Sequence, residues 1–351
     1  MFSMFFGSGN LVFPLIVGQL SEGHYVFATL GILLTGVLVP FLGILAMFLF
    51  NGDSHSFFAR LGKPATFWFP LLALSLMGPF GVLARCITVA HGAFRLLLPE
   101  TSLWAFSLCS CALIFLLTLR KNRIVPLLGS VLTPLLLASL VAIAIFGVMK
   151  VDLPAVQSTG AWQSFKNGIF QGYQTMDLLA AFFFSVFVIK HLSQKKEESL
   201  PVFLKSAFIG AALLSSIYAV LVLLGAMYAP QLGNVPPQEM FGFIAQQALG
   251  PMAAPIVCVA VILACLTTAI VLASLFSDFL KNEISKSRIP TSVSLTITLL
   301  IAFGISTLQF SGIMKIIGPI LEFTYPALIV FTIGGIFHKL WGLVPKSHKI
   351  S

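Results

Sequence analysis

Phe5-Phe6-Gly7-Ser8-Gly9-Asn10-Leu11-Val12-Phe13-Pro14 opens an apolar segment that runs to about Leu20. In a soluble protein, a Gly-Ser-Gly-Asn core followed four residues later by proline reads as a turn. The surrounding chain forbids that reading. Hydrophobic residues make up 58% of its 351 and charged residues 9%, and the mean hydropathy is +1.03. Soluble domains carry about 25% charged residues, so this chain cannot cover a soluble surface and reads as a polytopic membrane protein. Glycines inside a membrane helix unwind it, and the freed N–H and C=O groups are tolerated only where they are buried in protein or line a cavity. The interrupted first segment is therefore a candidate binding site; a tightly packed or flexible helix is the plainer alternative. Because Met1 begins directly in apolar sequence, the half-helix before Gly7 is expected to be short or to start further upstream.

Segments long enough to span a bilayer, about 20 residues each, fall at roughly 1–20, 26–50, 65–93, 102–119, 124–149, 164–189, 201–228, 250–277, 291–309 and 313–338. Orientation follows from Lys and Arg. With a cytoplasmic N-terminus, the inner loops and tail hold fifteen (Arg60 and Lys63; Arg120, Lys121 and Arg123; Lys190 to Lys205; Lys281 to Arg288; and Lys339 to Lys349), whereas the outer connections hold Arg95, Lys150, Lys166 and Lys315. That bias predicts both termini inside. The basic residues sit in short loops rather than on one polar face, which argues against nucleic-acid binding. The five cysteines, Cys86, Cys109, Cys111, Cys258 and Cys265, all lie in apolar sequence without metal-ligand spacing and read as free, packed thiols.

The sixth segment carries its own interruption, Gly168-Ile169-Phe170-Gln171-Gly172-Tyr173-Gln174-Thr175-Met176-Asp177. Segments one and six each head a set of five, and an odd number of crossings places the two sets in opposite orientations. Interruptions at matching positions of inverted halves point to a secondary-transporter site. The expected fold class is thus all-α and polytopic: about ten transmembrane helices as two inverted five-helix repeats, with helices one and six broken. The repeats are residues 1–149 and 164–338, joined by an outer connection at 150–163 and followed by a cytoplasmic tail at 339–351.

These residues resemble a known family. Phe5 to Pro14 is similar to the first helix of the bacterial branched-chain amino acid carriers, and Gly172-Tyr173-Gln174-Thr175-Met176-Asp177-Leu178-Leu179-Ala180 to their sixth. Gly78-Pro79-Phe80 with Arg85 and Thr88-Val89 resembles the third, and Glu322-Phe323-Thr324-Tyr325-Pro326 the tenth. The likeness spans nearly the whole chain. It implies cation-coupled symport of leucine, isoleucine and valine on the leucine-transporter fold, in a bacterial inner membrane. The chain departs from the family at Ala84, where a proline usually precedes the arginine, and at Gly92, where an acidic residue is usual. Members also usually have a longer N-terminus and two further C-terminal spans.

An amino acid zwitterion needs donors for its carboxylate and acceptors for its ammonium. Exposed N–H groups of Gly7, Ser8, Gly9, Asn10 and Leu11 suit the carboxylate, helped by the helix dipole. Unpaired carbonyls near Gly168, Gly172 and Tyr173, with Thr175, suit the ammonium. Phe13, Tyr173 and Met176 are candidate apolar walls, with ordinary core packing as the alternative. The resemblance further implies a sodium site formed by the hydroxyls of Thr267 and Thr268, the carbonyl of Ala264, and carbonyls of Ser3 and Phe6. Against it stands the habit of membrane threonines to bond a carbonyl one turn back.

Three ionisable residues, Arg85, Asp177 and Glu322, lie at membrane depth and are expected to face the interior with a partner or a task. Arg85 with Asp177 or Glu322 would make a neutralising pair; alternatively, Asp177 could carry a proton during transport. His24 and His91 lie near helix ends and are expected to face water. No resident cofactor is expected, with Na+ as coupling ion and H+ as the alternative. The partners are a small amino acid and the bilayer. A proton-coupled permease for another small amino acid is the nearest competing function. A membrane enzyme would need converging catalytic groups, which Asp177 does not have around it, and a channel would need a repeated pore motif. No residue is assigned a catalytic role.

Overall fold

The computed structural model describes residues 7–21, 23–119, 121–151, 160–194, 200–251 and 254–343. Among these, regular structure is helical and no strand forms. The helices are α1 Ser8–Gln19, α2 Tyr25–Leu49 with one widened turn at Leu34–Leu38, α3 Ser54–Phe58, α4 Ala65–Met77, α5 Val82–Arg95, α6 Leu103–Thr118, α7 Lys121–Lys150 and α8 Ala161–Gln174. They continue as α9 Asp177–Gln194, α10 Leu200–Met227, α11 Ala229–Leu232, α12 Met240–Leu249, α13 Ala254–Phe279, α14 Thr291–Ser306 and α15 Gln309–Leu343.

Each apolar segment read from the sequence is one helix or two consecutive ones. Five stretches are long and apolar enough to cross a membrane: Tyr25–Leu49, Ala65–Arg95, Leu200–Met227, Pro255–Ile284 and Gln309–Trp341. α6, α14 and the Leu137–Lys150 part of α7 are apolar but shorter. A helix satisfies its own backbone, which hydrocarbon requires. The outside is correspondingly apolar, with Leu116, Phe208, Ile209, Leu300 and Val330 all more than half exposed.

Segment three is not the single helix expected from sequence. The chain breaks at Gly78–Gly81, where Pro79 lacks a donor and the Phe80 N–H reaches back to the Ser75 carbonyl, 3.2 Å away. A Cβ at Gly81 would lie 2.0 Å from the Leu76 carbonyl oxygen, so only glycine permits this turn. α5 restarts at Val82, and Arg85 stands at its first turn.

Two helix crossings are equally close. Gly18 of α1 meets α10, where its Cβ would lie 2.0 Å from the Val222 oxygen. Gly31 of α2 meets Gly168 of α8, where a Cβ on Gly31 would lie 2.2 Å from the Phe165 oxygen. Small residues let membrane helices approach until their backbones touch. α1 also runs along α10 much as α9 runs along the second half of α2, where Gly43 faces Leu178 and Ala181.

Gly31→Ala should therefore cost about 1–3 kcal/mol through overpacking. In Gly304→Ala nothing lies within 4 Å of the new methyl, and stability should be unchanged. Half-loss temperatures of the monodisperse detergent-solubilised protein would separate the two variants.

Candidate functional site

Of the break expected at Gly7–Asn10, Ser8, Gly9 and Asn10 are helical, and residues 1–6 before it lie outside the described residues. Gly7 is extended, with φ −123° and ψ −169°, and α1 is helical from Ser8 onward. Ser8, Gly9 and Asn10 thus form a first turn, whose N–H groups have no carbonyl within the helix. The Gly7 N–H instead donates to Asn10 Oδ1 at 3.2 Å. Pro14, inside α1, also withdraws the donor that would reach the Asn10 carbonyl.

The interruption in segment six is displaced from its expected position. α8 continues through Gly168, Gly172 and Tyr173 to Gln174, and the break falls at Thr175–Met176, with Met176 in the left-handed region at φ 60°. Gly168 and Gly172 serve close packing instead. A Cβ on Gly172 would lie 2.0 Å from Thr35 Oγ1, and Gly168 is the crossing with α2. Their carbonyls are part of a regular helix, so they are not the free acceptors expected from sequence.

The start of α1 and the break in segment six meet. Asn10 Nδ2 donates to Asp177 Oδ2 at 2.8 Å and to the Tyr218 hydroxyl at 2.5 Å. The Tyr218 hydroxyl donates to the same Asp177 oxygen at 3.2 Å. Thr175 Oγ1 donates to the Gly172 carbonyl and accepts the Asp177 N–H at 3.4 Å, closing the gap between α8 and α9. A Cβ on Gly9 would lie 3.2 Å from Phe13 Cε2 and 3.8 Å from Thr175 Cα. Asp177 is buried, and its partners Asn10 and Tyr218 come from two other chain segments. Tyr218 was not legible beforehand: a single tyrosine in the apolar run of α10 is the only sign of it.

Arg85 pairs with neither Asp177 nor Glu322. Its Nη1 donates to the Gln174 carbonyl at 2.8 Å and its Nη2 to Gln174 Oε1 at 3.0 Å, capping the broken end of α8. Glu322 is exposed, contrary to the expectation that it faces inward. The buried stripe of α15 runs through Ile317, Leu321, Tyr325 and Leu328, and residue 322 lies beside it on the outer face. His91 is likewise the reverse of its expectation. It is buried, with Nε2 2.9 Å from the Thr101 carbonyl.

Of the proposed walls, Phe13 is fully buried against Phe310, with ring centroids 5.9 Å apart. The Tyr173 ring lies 5.1 Å from that of Tyr325, and Met176 is buried at the break. Leu11 is buried in the core of α1. Thr267 donates to the Ala264 carbonyl at 2.8 Å, the backbone habit weighed above. Thr268 faces Gly7, where a Cβ would lie 3.7 Å from its Oγ1. Ser3 and Phe6 lie outside the described residues. Ser8 Oγ contacts Cys86 Sγ at 3.2 Å, tying α1 to α5.

These features define a class: a multi-pass helical membrane protein with Arg85 and Asp177 buried inside it at helix ends. The chain belongs to the branched-chain amino acid transport protein family, whose model it matches over residues 1–349. It is similar to the branched-chain amino acid permease BrnQ of Corynebacterium glutamicum, at 32% identity over 94% of this chain and 77% of that protein. It is also similar to the permease BraB of Bacillus subtilis, at 30% identity over 97% of this chain and 79% of that protein. The permease BrnQ of Lactobacillus delbrueckii subsp. lactis is 29% identical over 100% of this chain and 82% of that protein.

Asn10 and Tyr218 share one acceptor oxygen, so their contributions should not add. In a double-mutant cycle, Asn10→Ala and Tyr218→Phe should show a coupling of about 1 kcal/mol in unfolding free energy. Additive losses would mean that the two side chains do not act on Asp177 together.

Proposed function

We propose that the chain imports leucine, isoleucine and valine by symport with a cation, sodium in the first reading. It does so as a ten-span protein of two inverted five-helix repeats, residues 1–149 and 164–338, on the leucine-transporter fold. It resides in a bacterial inner membrane with both termini cytoplasmic. The observation that carries this reading is the meeting of the start of α1 with the Thr175–Met176 break, joined by the Asn10–Asp177 hydrogen bond. Free backbone groups at two adjacent helix ends need a common polar occupant, and a zwitterion has the matching charge pattern. The carboxylate lies at the first turn of α1, where the N–H groups of Ser8, Gly9 and Asn10 and the helix dipole favour an anion. The ammonium lies toward the Thr175–Met176 break. Phe13, Tyr173 and Met176 bound the aliphatic side chain. The names of the similar proteins support branched-chain substrates.

The helix neighbours support the repeat. Segment one lies along segment seven, and the second half of segment six lies along segment two. Exchanging each segment for its counterpart five places away converts the first pair into the second. Thr268 beside Gly7 supports a sodium position between α13 and the start of α1, with Thr267, Ala264, Ser3 and Phe6 as its other ligands.

A second reading, proton coupling, is favoured by a specific feature. Asp177 is a buried carboxylate whose side-chain partners are Asn10 and Tyr218, both neutral. A carboxylate in that setting can carry a proton across the transport cycle.

Leucine uptake into proteoliposomes should rise with an inward sodium gradient, and Thr267→Ala with Thr268→Ala should remove that response while the protein stays inserted. Uptake that follows only a proton gradient, is unaffected by the threonine changes and is lost in Asp177→Asn would overturn sodium coupling in favour of the second reading.

Gly9→Leu should abolish leucine binding in folded protein, because the added side chain must displace Phe13 and fill the approach to the α1 turn. Tyr173→Ala should instead alter the preference among leucine, isoleucine and valine. Calorimetry on the purified variants would check both, and tight binding by Gly9→Leu would place the substrate elsewhere.

A further inference from the structure

Arg85 is 1% exposed, yet it has no anionic partner among the described residues. The ion pair Arg95–Glu239 lies at the surface and does not involve Arg85. Two guanidinium nitrogens bond to Gln174, which is neutral, and the third, Nε, has no hydrogen-bond partner. Asp177, the buried carboxylate three residues beyond Gln174, is committed to Asn10 and Tyr218. A buried cation that lacks a counter-charge is costly, and a planar guanidinium with one edge open suits a carboxylate that bonds two parallel donors.

The position of Arg85 fits that task. Its Cζ stands 5.3 Å from the centroid of the Phe13 ring. The other side of the contact chain is Gly9, whose Cβ position lies 3.2 Å from Phe13 Cε2. Gly9 belongs to the first turn of α1, and Gln174 is the last residue of α8. Arg85 thus borders both helix ends at once, over the ring that bounds the apolar side.

We propose that Arg85 is a substrate-binding residue that receives the α-carboxylate of the amino acid through Nε and an adjacent Nη, alongside the first-turn N–H groups of α1. The inference rests on the reading that this site takes a zwitterion. It makes the carboxylate, rather than the aliphatic chain, the feature that Arg85 selects. Gln174 then acts as a positioning residue: it holds one edge of the guanidinium and leaves the other edge free.

The test compares leucine with leucinamide, which keeps the ammonium and side chain but lacks the negative charge. Wild-type protein should bind leucine far more tightly than leucinamide. In Arg85→Gln, leucine affinity should fall roughly 10- to 100-fold, as for loss of a charged hydrogen bond, while leucinamide changes little. The selectivity ratio should therefore collapse. Arg85→Lys keeps the charge without the planar fork and should give an intermediate ratio, which also serves if Arg85→Gln does not yield folded protein. An unchanged ratio in folded variants, or equal losses for both ligands, would show that Arg85 only caps α8 and would overturn the proposal. Wild-type protein that binds none of leucine, isoleucine and valine would overturn the transport reading itself, an outcome distinct from an unchanged ratio.

Discussion

The hydrogen bond from Asn10 to Asp177 joins two chain segments that are 167 residues apart, in a setting where neither polar group has water to fall back on. An unsatisfied polar group in hydrocarbon costs several kcal/mol, so each side chain is held in place by the other's need. Tyr218 completes the arrangement from α10. The three groups bring the start of α1, the start of α9 and the middle of α10 to one point. The walls and the arginine are arranged around that point.

Close packing makes this convergence achievable. Gly18 against α10 and Gly31 against Gly168 let backbones touch where any side chain would hold them apart. Without these crossings, α1 and α8 would stand too far from their neighbours for Asn10 to reach Asp177 and Tyr218. The same economy appears at Gly81, after which α5 restarts and carries Arg85 over Phe13. Glycine therefore acts at these crossings through close approach, whereas Gly78–Gly81 interrupts a helix.

Charge is distributed with the same logic. Arg85 and Asp177 are both buried beside the same break, Arg85 through its bonds to Gln174, yet each bonds to neutral partners instead of the other. A direct ion pair would have closed the interior with a neutral, self-satisfied lock. Two separated and opposite charges are the basis of the proposal that the interior takes a molecule that carries both.

Much was already determined by the sequence alone. Composition dictated a membrane protein, because so few charged residues cannot coat a soluble surface. The positions of the apolar segments followed from the length needed to cross hydrocarbon, and the stretch Gly168–Asp177 marked the neighbourhood in which segment six is interrupted. Only the tertiary structure decided which glycines break a helix and which pack one. Gly168 and Gly172 turned out to be contacts with α2, and the break moved to Met176, because a glycine's role depends on what stands opposite it. The partners of Arg85, the outward position of Glu322 and the burial of His91 were likewise undetermined beforehand. Each depends on helix rotation and on neighbours distant in the chain, which residue type and spacing along one segment do not specify.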